Sequence, residues 1–299
     1  MNDPIATIKR TKAIQDKYQV FTKKAYGQNF IIEPRIVEKI AEAAIADPSE
    51  LVIEIGPGIG ALTQQLCARS QHVIAYEIDP RMPNILQNEI QSPHLEVVLQ
   101  DFLDVDVDEE IKKYRKENQP VVFASNLPYY ITTPILFKLF ETKEPIERIT
   151  VMMQKEVGQR FMAQPSDKEY NALSVIWQYK CDCHKVMDVS RHVFWPSPNV
   201  DSVVLQFNFH HRYHLPNESV FLSMVKGCFV QRRKTIYNNL QSYLQDKELA
   251  KTCLEKAGIA LNTRAQQCAL NDFIRLYEVN YESICTSQSE SSSGCDWKK

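Results

Sequence analysis

Asn126-Leu-Pro-Tyr129 places a side-chain amide oxygen, a backbone carbonyl and an aromatic ring on consecutive residues. Pro128 lacks an N–H and has a fixed φ, so the Leu127 carbonyl before it is held in a rigid turn. Two fixed acceptors suit an amine whose lone pair is delocalised into a ring. They take the two amine hydrogens and turn the lone pair toward an incoming carbon. The exocyclic amine of adenine is such a group, and Tyr129 offers a face on which an extruded base can stack. If the electrophile arrives already activated, positioning and electrostatics do most of the work. The same residues would also make an ordinary turn.

A second constellation lies upstream. Glu54-Ile-Gly-Pro-Gly-Ile-Gly-Ala-Leu-Thr63 reads as a strand, a glycine-rich turn and the start of a helix. Glycines there let backbone pass close to a ligand and free the helix N-terminus to face it. Gly56-x-Gly58-x-x-Ala61 also satisfies a dinucleotide fingerprint. Pro57 and Gly60 favour instead a Gly-x-Gly-x-Gly loop packed on an uncharged amino-acid and ribose portion. Glu77 ends the next strand, where a carboxylate can accept from both ribose hydroxyls. Asp101, after the third strand, can accept from an adenine amine. Each acid alone also reads as a cap or a solvated charge, but three features after three successive strands point to one ligand.

These residues need a scaffold that gathers strand ends. Leu51–Ile55, His72–Tyr76, Leu95–Leu99, Val121–Ser125 and Ile149–Met153 read as short buried strands. Helical patterns alternate with them at Ile36–Ala44, with Pro34 in the first turn, and at Leu62–Ala68, Ile85–Ile90 and Pro134–Phe140. This alternation predicts an α/β parallel sheet covered on both faces. Val203–Phe207 has no helical crossover before Phe209 and is expected as an antiparallel edge strand. Further on come only helical patterns, at Val220–Val230, Ile236–Leu244, Leu249–Ala257 and Phe273–Val279, with Gly258 as a stop. The expected organisation is a basic segment 1–24, an α/β domain 25–211, a small all-helical domain 212–286 and a disordered serine-rich tail 287–299.

Composition narrows the class. Hydrophobic residues make up 44% of the 299 and charged residues 24%, enough for a packed core and against wholesale disorder. No apolar run approaches the roughly 18 residues of a membrane span. Met1-Asn-Asp-Pro4 lacks the pattern of a secretory signal, and the Arg/Ser richness of a transit peptide is missing, so a cytoplasmic protein is expected. Cys181, Cys183 and His184 invite a zinc reading, but no second pair stands at finger spacing. Reduced thiols packed on a strand are preferred, and no metal is expected. The net charge of −2 argues against an indiscriminate polyanion binder. Locally, however, residues 1–24 hold Lys9, Arg10, Lys12, Lys17, Lys23 and Lys24 against Asp3 and Asp16, and Arg232-Arg233-Lys234 follows Lys226 with no acid between. Either run alone reads as a solvated face; together they leave room for a phosphate-binding surface.

Gly27-Gln-Asn-Phe30, Glu54 to Thr63, Asn126 to Tyr129, Phe194-x-Pro-x-Pro-x-Val-Asp-Ser202 and Gln231-Arg-Arg-Lys-Thr-Ile-Tyr-Asn-Asn-Leu240 together closely resemble the ribosomal RNA adenine dimethyltransferases. The resemblance spans about Lys24 to Glu278. The run from Asn126 through Lys138 is similar to the bacterial branch, which modifies two adjacent adenines in a hairpin loop near the 3′ end of 16S ribosomal RNA. It implies a Rossmann-like S-adenosylmethionine methyltransferase sheet and that cofactor, held by Asn29, Ile31, Gly56, Gly58, Glu77, Ile78, Asp101, Phe102 and Asn126. It also implies catalysis by Asn126, Leu127, Pro128 and Tyr129, with Phe194 stacking the adenine opposite Tyr129. Lys23, Lys24, Arg232, Arg233 and Lys234 would hold RNA.

Three positions depart from the family pattern. Pro83 is expected to interrupt the helix after Glu77-Ile-Asp79, Gln266 stands for an expected glutamate, and Trp195 enlarges the Phe-x-Pro segment. The implied partners are 16S ribosomal RNA and the immature 30S subunit, met by a monomer. Three alternatives remain at this stage. They are dimethylation of large-subunit RNA, a noncatalytic ribosome-assembly or transcription factor on the same fold, and a hydride-transfer enzyme, in which the Asn126 tetrapeptide would have no purpose.

Overall fold

A computed structural model describes residues 3–20, 28–210 and 212–292, with backbone alone from 282. Lys23, Lys24 and Gly27 lie outside the described residues. By its internal contacts the chain divides into two compact units, 1–158 with 181–210 and 159–180 with 211–299. The expected single break near residue 211 is joined by an excursion: Gln159–Lys180 belongs with the helical unit although it precedes the end of the sheet.

The α/β unit opens with α1 (Ile8–Tyr18), β1 (Phe30–Ile31) and α2 (Pro34–Ala44), with Pro34 in the first turn. There follow β2 (Leu51–Ile55), α3 (Ala61–Cys67), β3 (Val73–Glu77), α4 (Met82–Ile90), β4 (Leu95–Leu99), α5 (Val107–Tyr114), β5 (Val121–Asn126), α6 (Thr132–Glu141) and β6 (Arg148–Gln154). After α7 (Lys155–Met162) and α8 (Ala172–Lys180) come β7 (Cys181–Val189), β8 (Phe194–Trp195) and β9 (Ser202–Phe209). The main sheet has seven strands in the order β4-β3-β2-β5-β6-β9-β7. From β4 to β6 the neighbours run parallel, whereas β9 lies antiparallel to both β6 and β7. The expected antiparallel strand is therefore present, but it is an interior strand; β7 is the edge.

β2 and β3 are buried along their whole length, as parallel strands covered on both faces require. Pro83 does not interrupt α4. The helix begins at Met82, so Pro83 falls in its first turn, where a missing N–H costs nothing. Cys181 and Cys183 lie in β7 opposite Phe209 and Phe207. Burial pushes the Cys183 thiol up to about 12, so it stays protonated. No metal-binding cluster of His, Cys, Asp or Glu occurs among the described residues.

The helical unit contains α9 (Glu218–Cys228), α10 (Ile236–Leu244), α11 (Lys247–Lys256) and α12 (Leu270–Ser292). Its core joins Tyr170, Val175 and Ile176 to Phe221, Leu240, Leu254 and Phe273. Gly258 takes φ +73° just beyond α11, the left-handed conformation that ends a helix. α12 continues to Ser292, so the stretch from Ser287, expected as disordered, begins as helix. No helix among the described residues is long and apolar enough to cross a membrane.

Candidate active site

The chain winds from β2 outward to β3 and β4, then returns to place β5 on the other side of β2. That reversal opens a crevice at the carboxyl ends of β2 and β5, the usual ligand position in such sheets. A cavity of about 270 Å³ lies there, lined by the glycine turn, the ends of β3 and β4, the Asn126 turn, Gln28–Ile31 and Phe194. The residues expected for cofactor binding or catalysis meet in one place: Asn29, Ile31, Gly56, Gly58, Glu77, Ile78, Asp101, Phe102, Asn126, Leu127, Pro128, Tyr129 and Phe194 all line this cavity.

Gly56, Gly58 and Gly60 have φ of +70°, +56° and +93°. The requirement is strictest at Gly60, where a Cβ would stand 2.8 Å from Ile90 Cδ1 and 2.9 Å from Leu86 Cδ2. At Gly58 a Cβ would stand 3.4 Å from the Phe30 ring, so the turn is shaped by contact as well as by conformation.

The Glu77 carboxylate accepts from three backbone N–H groups: Gly58 at 3.0 Å, Ile78 at 2.9 Å and Asp79 at 2.8 Å. It thus fixes the glycine turn while lining the cavity. Burial raises its affinity for a proton, and the three donors oppose that. Asp101 caps the following turn, one oxygen accepting from Leu103 N at 2.9 Å, and the residue also lines the cavity. Phe102 is buried edge-on against Tyr76, with ring centroids 5.4 Å apart.

Asn126 is the last residue of β5. Below it, the Ser125 hydroxyl donates to the Ile55 carbonyl, tying β5 to β2 directly beneath the glycine turn. Ile131 N and Thr132 Oγ1 donate to the Pro128 carbonyl at 3.2 and 3.1 Å. The turn is therefore closed through Pro128. Among the described residues the Asn126 side chain has no hydrogen-bond partner, and the Leu127 carbonyl accepts none, which leaves both acceptors available. The Tyr129 hydroxyl lies 2.7 Å from Ser202 Oγ, a fully buried side chain at the start of β9.

Phe194 reaches the cavity because β8 pairs antiparallel with β1, with Ile31 opposite Phe194 and Phe30 opposite Trp195. Two motifs more than 150 residues apart in sequence meet in this two-stranded sheet. Sequence reasoning passed over Glu54 as a site group. It is 1% exposed, lines the cavity, and has one oxygen without a hydrogen bond. Burial pushes its carboxyl up to about 8, which favours the protonated form near neutral pH and lessens the negative charge beside Glu77. A glutamate at the penultimate position of a buried strand was the available signal.

The basic residues divide. Arg233 and Lys234 are exposed in the helical unit. Arg232 is exposed too, but its guanidinium donates to Gln266 Oε1 at 3.2 Å and to the Lys168 carbonyl. The departure at Gln266 thus keeps an acceptor for Arg232 without an opposing charge. In the N-terminal segment, Arg10 and Lys17 pair with Glu89.

The family described as "Ribosomal RNA adenine dimethylase" matches residues 21–281. "Ribosomal RNA small subunit methyltransferase A" of Staphylococcus aureus (strain Newman) is 42% identical over 285 residues, 93% of this chain and 96% of the relative. A dimethyladenosine transferase crystal structure from Plasmodium falciparum is similar with TM-score 0.70 and 27% identity, over 85% of this chain and 98% of that one. The crystal structure of "23S rRNA methyltransferase ErmE" is similar with TM-score 0.67 and 28% identity, over 85% of this chain and all of the other.

Proposed function

The chain belongs to the ribosomal RNA adenine dimethylase family, and we propose that it transfers methyl groups from S-adenosylmethionine to N6 of two adjacent adenines in a 3′-terminal hairpin loop of 16S ribosomal RNA. The product is N6,N6-dimethyladenosine, made by a cytoplasmic monomer on the immature 30S subunit. The observation that carries this reading is the pair of unpartnered acceptors, Asn126 Oδ1 and the Leu127 carbonyl, at a cavity that also holds Tyr129 and Phe194.

The cavity fits the cofactor. Its glycine turn leaves room for close approach, Glu77 and Asp101 offer carboxylates that would accept from ribose hydroxyls and an adenine amine, and Ile78 and Phe102 supply apolar faces. The buried, unsatisfied Glu54 carboxyl oxygen offers a further hydrogen-bonding group. When bound, S-adenosylmethionine supplies a methyl group on positively charged sulfur, already activated for transfer. Asn29 and Ile31 cover the cofactor from the β1 side. Phe194 and Tyr129 hold the extruded adenine between them. Asn126 and Leu127 then take the two amine hydrogens and aim the lone pair, a contribution of positioning and electrostatics. The proton lost from the amine leaves by way of these acceptors toward water.

Ser202 keeps the Tyr129 ring in place. Ser202→Ala removes one buried hydrogen bond, worth about 1 kcal/mol, and should slow methyl transfer roughly fivefold. In the Tyr129→Phe background the same change should have almost no effect, because the bond is already gone; additive losses in the cycle would refute this positioning.

Arg233 and Lys234 are assigned to RNA phosphates in the helical unit, and Lys23 and Lys24 to the same task in the N-terminal segment. Arg233→Ala with Lys234→Ala should reduce the salt slope of RNA binding by about 2, with unchanged cofactor affinity. An unaltered slope would remove both from the interface.

Large-subunit RNA is the second reading, since the similarity to the 23S methyltransferase structure is nearly as high as that to the dimethyladenosine transferase. The higher identity to the small-subunit relatives favours the first. Incubation with methyl-labelled cofactor and separated, undermethylated subunits decides between them. Label confined to small subunits is expected, and label confined to large subunits would overturn the substrate assignment.

A further inference from the structure

Trp195 follows the base-stacking Phe194 directly, yet the two differ sharply in exposure: Phe194 is 2% exposed and Trp195 40%. A large exposed aromatic beside a nucleic-acid site offers a stacking surface that the cavity itself does not use. Its immediate neighbour is a cation. Lys12 Nζ lies 4.5 Å from the centroid of the Trp195 ring.

Lys12 stands on α1, which buries Ile14 in the core of the α/β unit and is tied to α4 by a buried carboxylate. Glu89, on α4, accepts from Lys17 Nζ at 2.7 Å and from the Tyr18 hydroxyl at 2.8 Å, and it also pairs with Arg10. Glu89 is almost fully buried, so removing its partners would leave a buried carboxylate without them, and the three-way contact fixes the register of α1 on α4. Glu89 pairs with Arg10 and Lys17 but not with Lys12. Lys12 is exposed and has no acidic partner among the described residues. An indole and an uncompensated ammonium are thus held together beside Phe194.

The complement of that pair carries a planar π surface and a negative charge one residue's reach apart. A nucleotide has both. An acidic peptide would satisfy Lys12 and leave the indole open, and an apolar side chain would do the reverse. We propose that Trp195 and Lys12 form a second platform that takes the unpaired nucleotide next to the target adenine, its base on the indole face opposite Lys12 and its phosphate on the ammonium. The proposal rests on the RNA-methylation reading and extends it from the target base to its neighbour.

The test uses the full chain. The probe is an unstructured RNA hexamer with two adjacent adenines, compared with a base-free strand of equal charge and with a short acidic peptide. Tryptophan fluorescence is read as the difference between the wild type and Trp195→Phe, which isolates one of the three tryptophans. The hexamer should quench that difference signal, and neither control should. Trp195→Ala should lower kcat/KM on undermethylated small subunits roughly tenfold, the scale of one stacked base, while Trp195→Phe keeps most of the rate. Lys12→Ala should reduce the salt slope of RNA binding by about 1. Unchanged cofactor affinity in each variant shows that the fold and the cavity survive. Wild-type kcat/KM in Trp195→Ala would overturn the proposal, as would equal quenching by the base-free strand or the peptide. Failure of the wild type to label any RNA would instead overturn the functional reading, and hexamer quenching would still decide this one.

Discussion

Asn126→Ala lowers the turnover number for methyl transfer by on the order of 10²–10³-fold, the scale seen when one aligned polar group is removed from a reacting centre. The structure makes this loss separable from unfolding. Asn126 makes no side-chain hydrogen bond among the described residues, and the β5 backbone around it stays paired with Met152. Truncation therefore removes an acceptor from the cavity and little else. Cofactor affinity falls modestly, because Glu77, Asp101 and the glycine turn are untouched. RNA affinity is expected to stay near wild type, so the defect falls on kcat rather than KM. Single-turnover rates with saturating cofactor measure it, and an unchanged rate would refute the orienting role. Leu127 supplies its acceptor through the backbone, so no side-chain substitution there gives the same clean loss.

The second large effect concerns the far end of the same sheet. Arg148 begins β6 and meets Glu50, just before β2, with both side chains almost entirely buried. The Glu50 carboxylate also accepts from Ala46 N at 2.9 Å. Arg148→Ala leaves that carboxylate buried and without its cation, a change that costs about 3–5 kcal/mol. The melting temperature should drop by on the order of 10 °C. Combining Arg148→Met with Glu50→Gln removes the orphaned charge and should recover much of the loss. Thermal unfolding of the three proteins checks this, and a double variant no more stable than Arg148→Ala would contradict the charge-burial explanation. The pair lies at the amino ends of the strands, away from the cavity, so the surviving folded protein should turn over at the wild-type rate.

The two substitutions separate what sequence disclosed from what it did not. The strands carrying Gly56, Glu77, Asp101 and Asn126 were legible because each is a short apolar run followed by a turn or helix signal, and parallel order then fixes their ends together. β7 was harder to read. It starts at Cys181, directly after the helix ending at Lys180, with no turn residue between, and its alternation is broken by charges. Misplacing the edge followed, because β9 resembles an edge strand until its second partner is known. The membership of Gln159–Lys180 in the helical unit depends on contacts with residues some 50–100 positions later, which periodicity does not encode. Pro83 was misjudged by one helical turn, since a proline signals a break or a start with equal force. Within the site, composition offered no reason for Phe194 to meet Ile31. That contact needs two two-residue strands, and only resemblance anticipated it. The commitment of Arg232 to Gln266 and of Arg10 and Lys17 to Glu89 was likewise invisible, because exposed charge in sequence and free charge in space are different quantities.

The central claim is that Asn126 and Leu127 orient an adenine amine for methyl transfer in small-subunit RNA. Its most direct test is enzymatic digestion of RNA from undermethylated small subunits treated with the wild type and with Asn126→Ala, followed by mass analysis of the nucleosides. N6,N6-dimethyladenosine formed by the wild type and, at the same early time, lower by on the order of 10²–10³-fold in the Asn126→Ala sample is the expected result. Methyl groups on any nucleoside other than N6-methylated adenosine, or equal dimethyladenosine from both proteins, would contradict it.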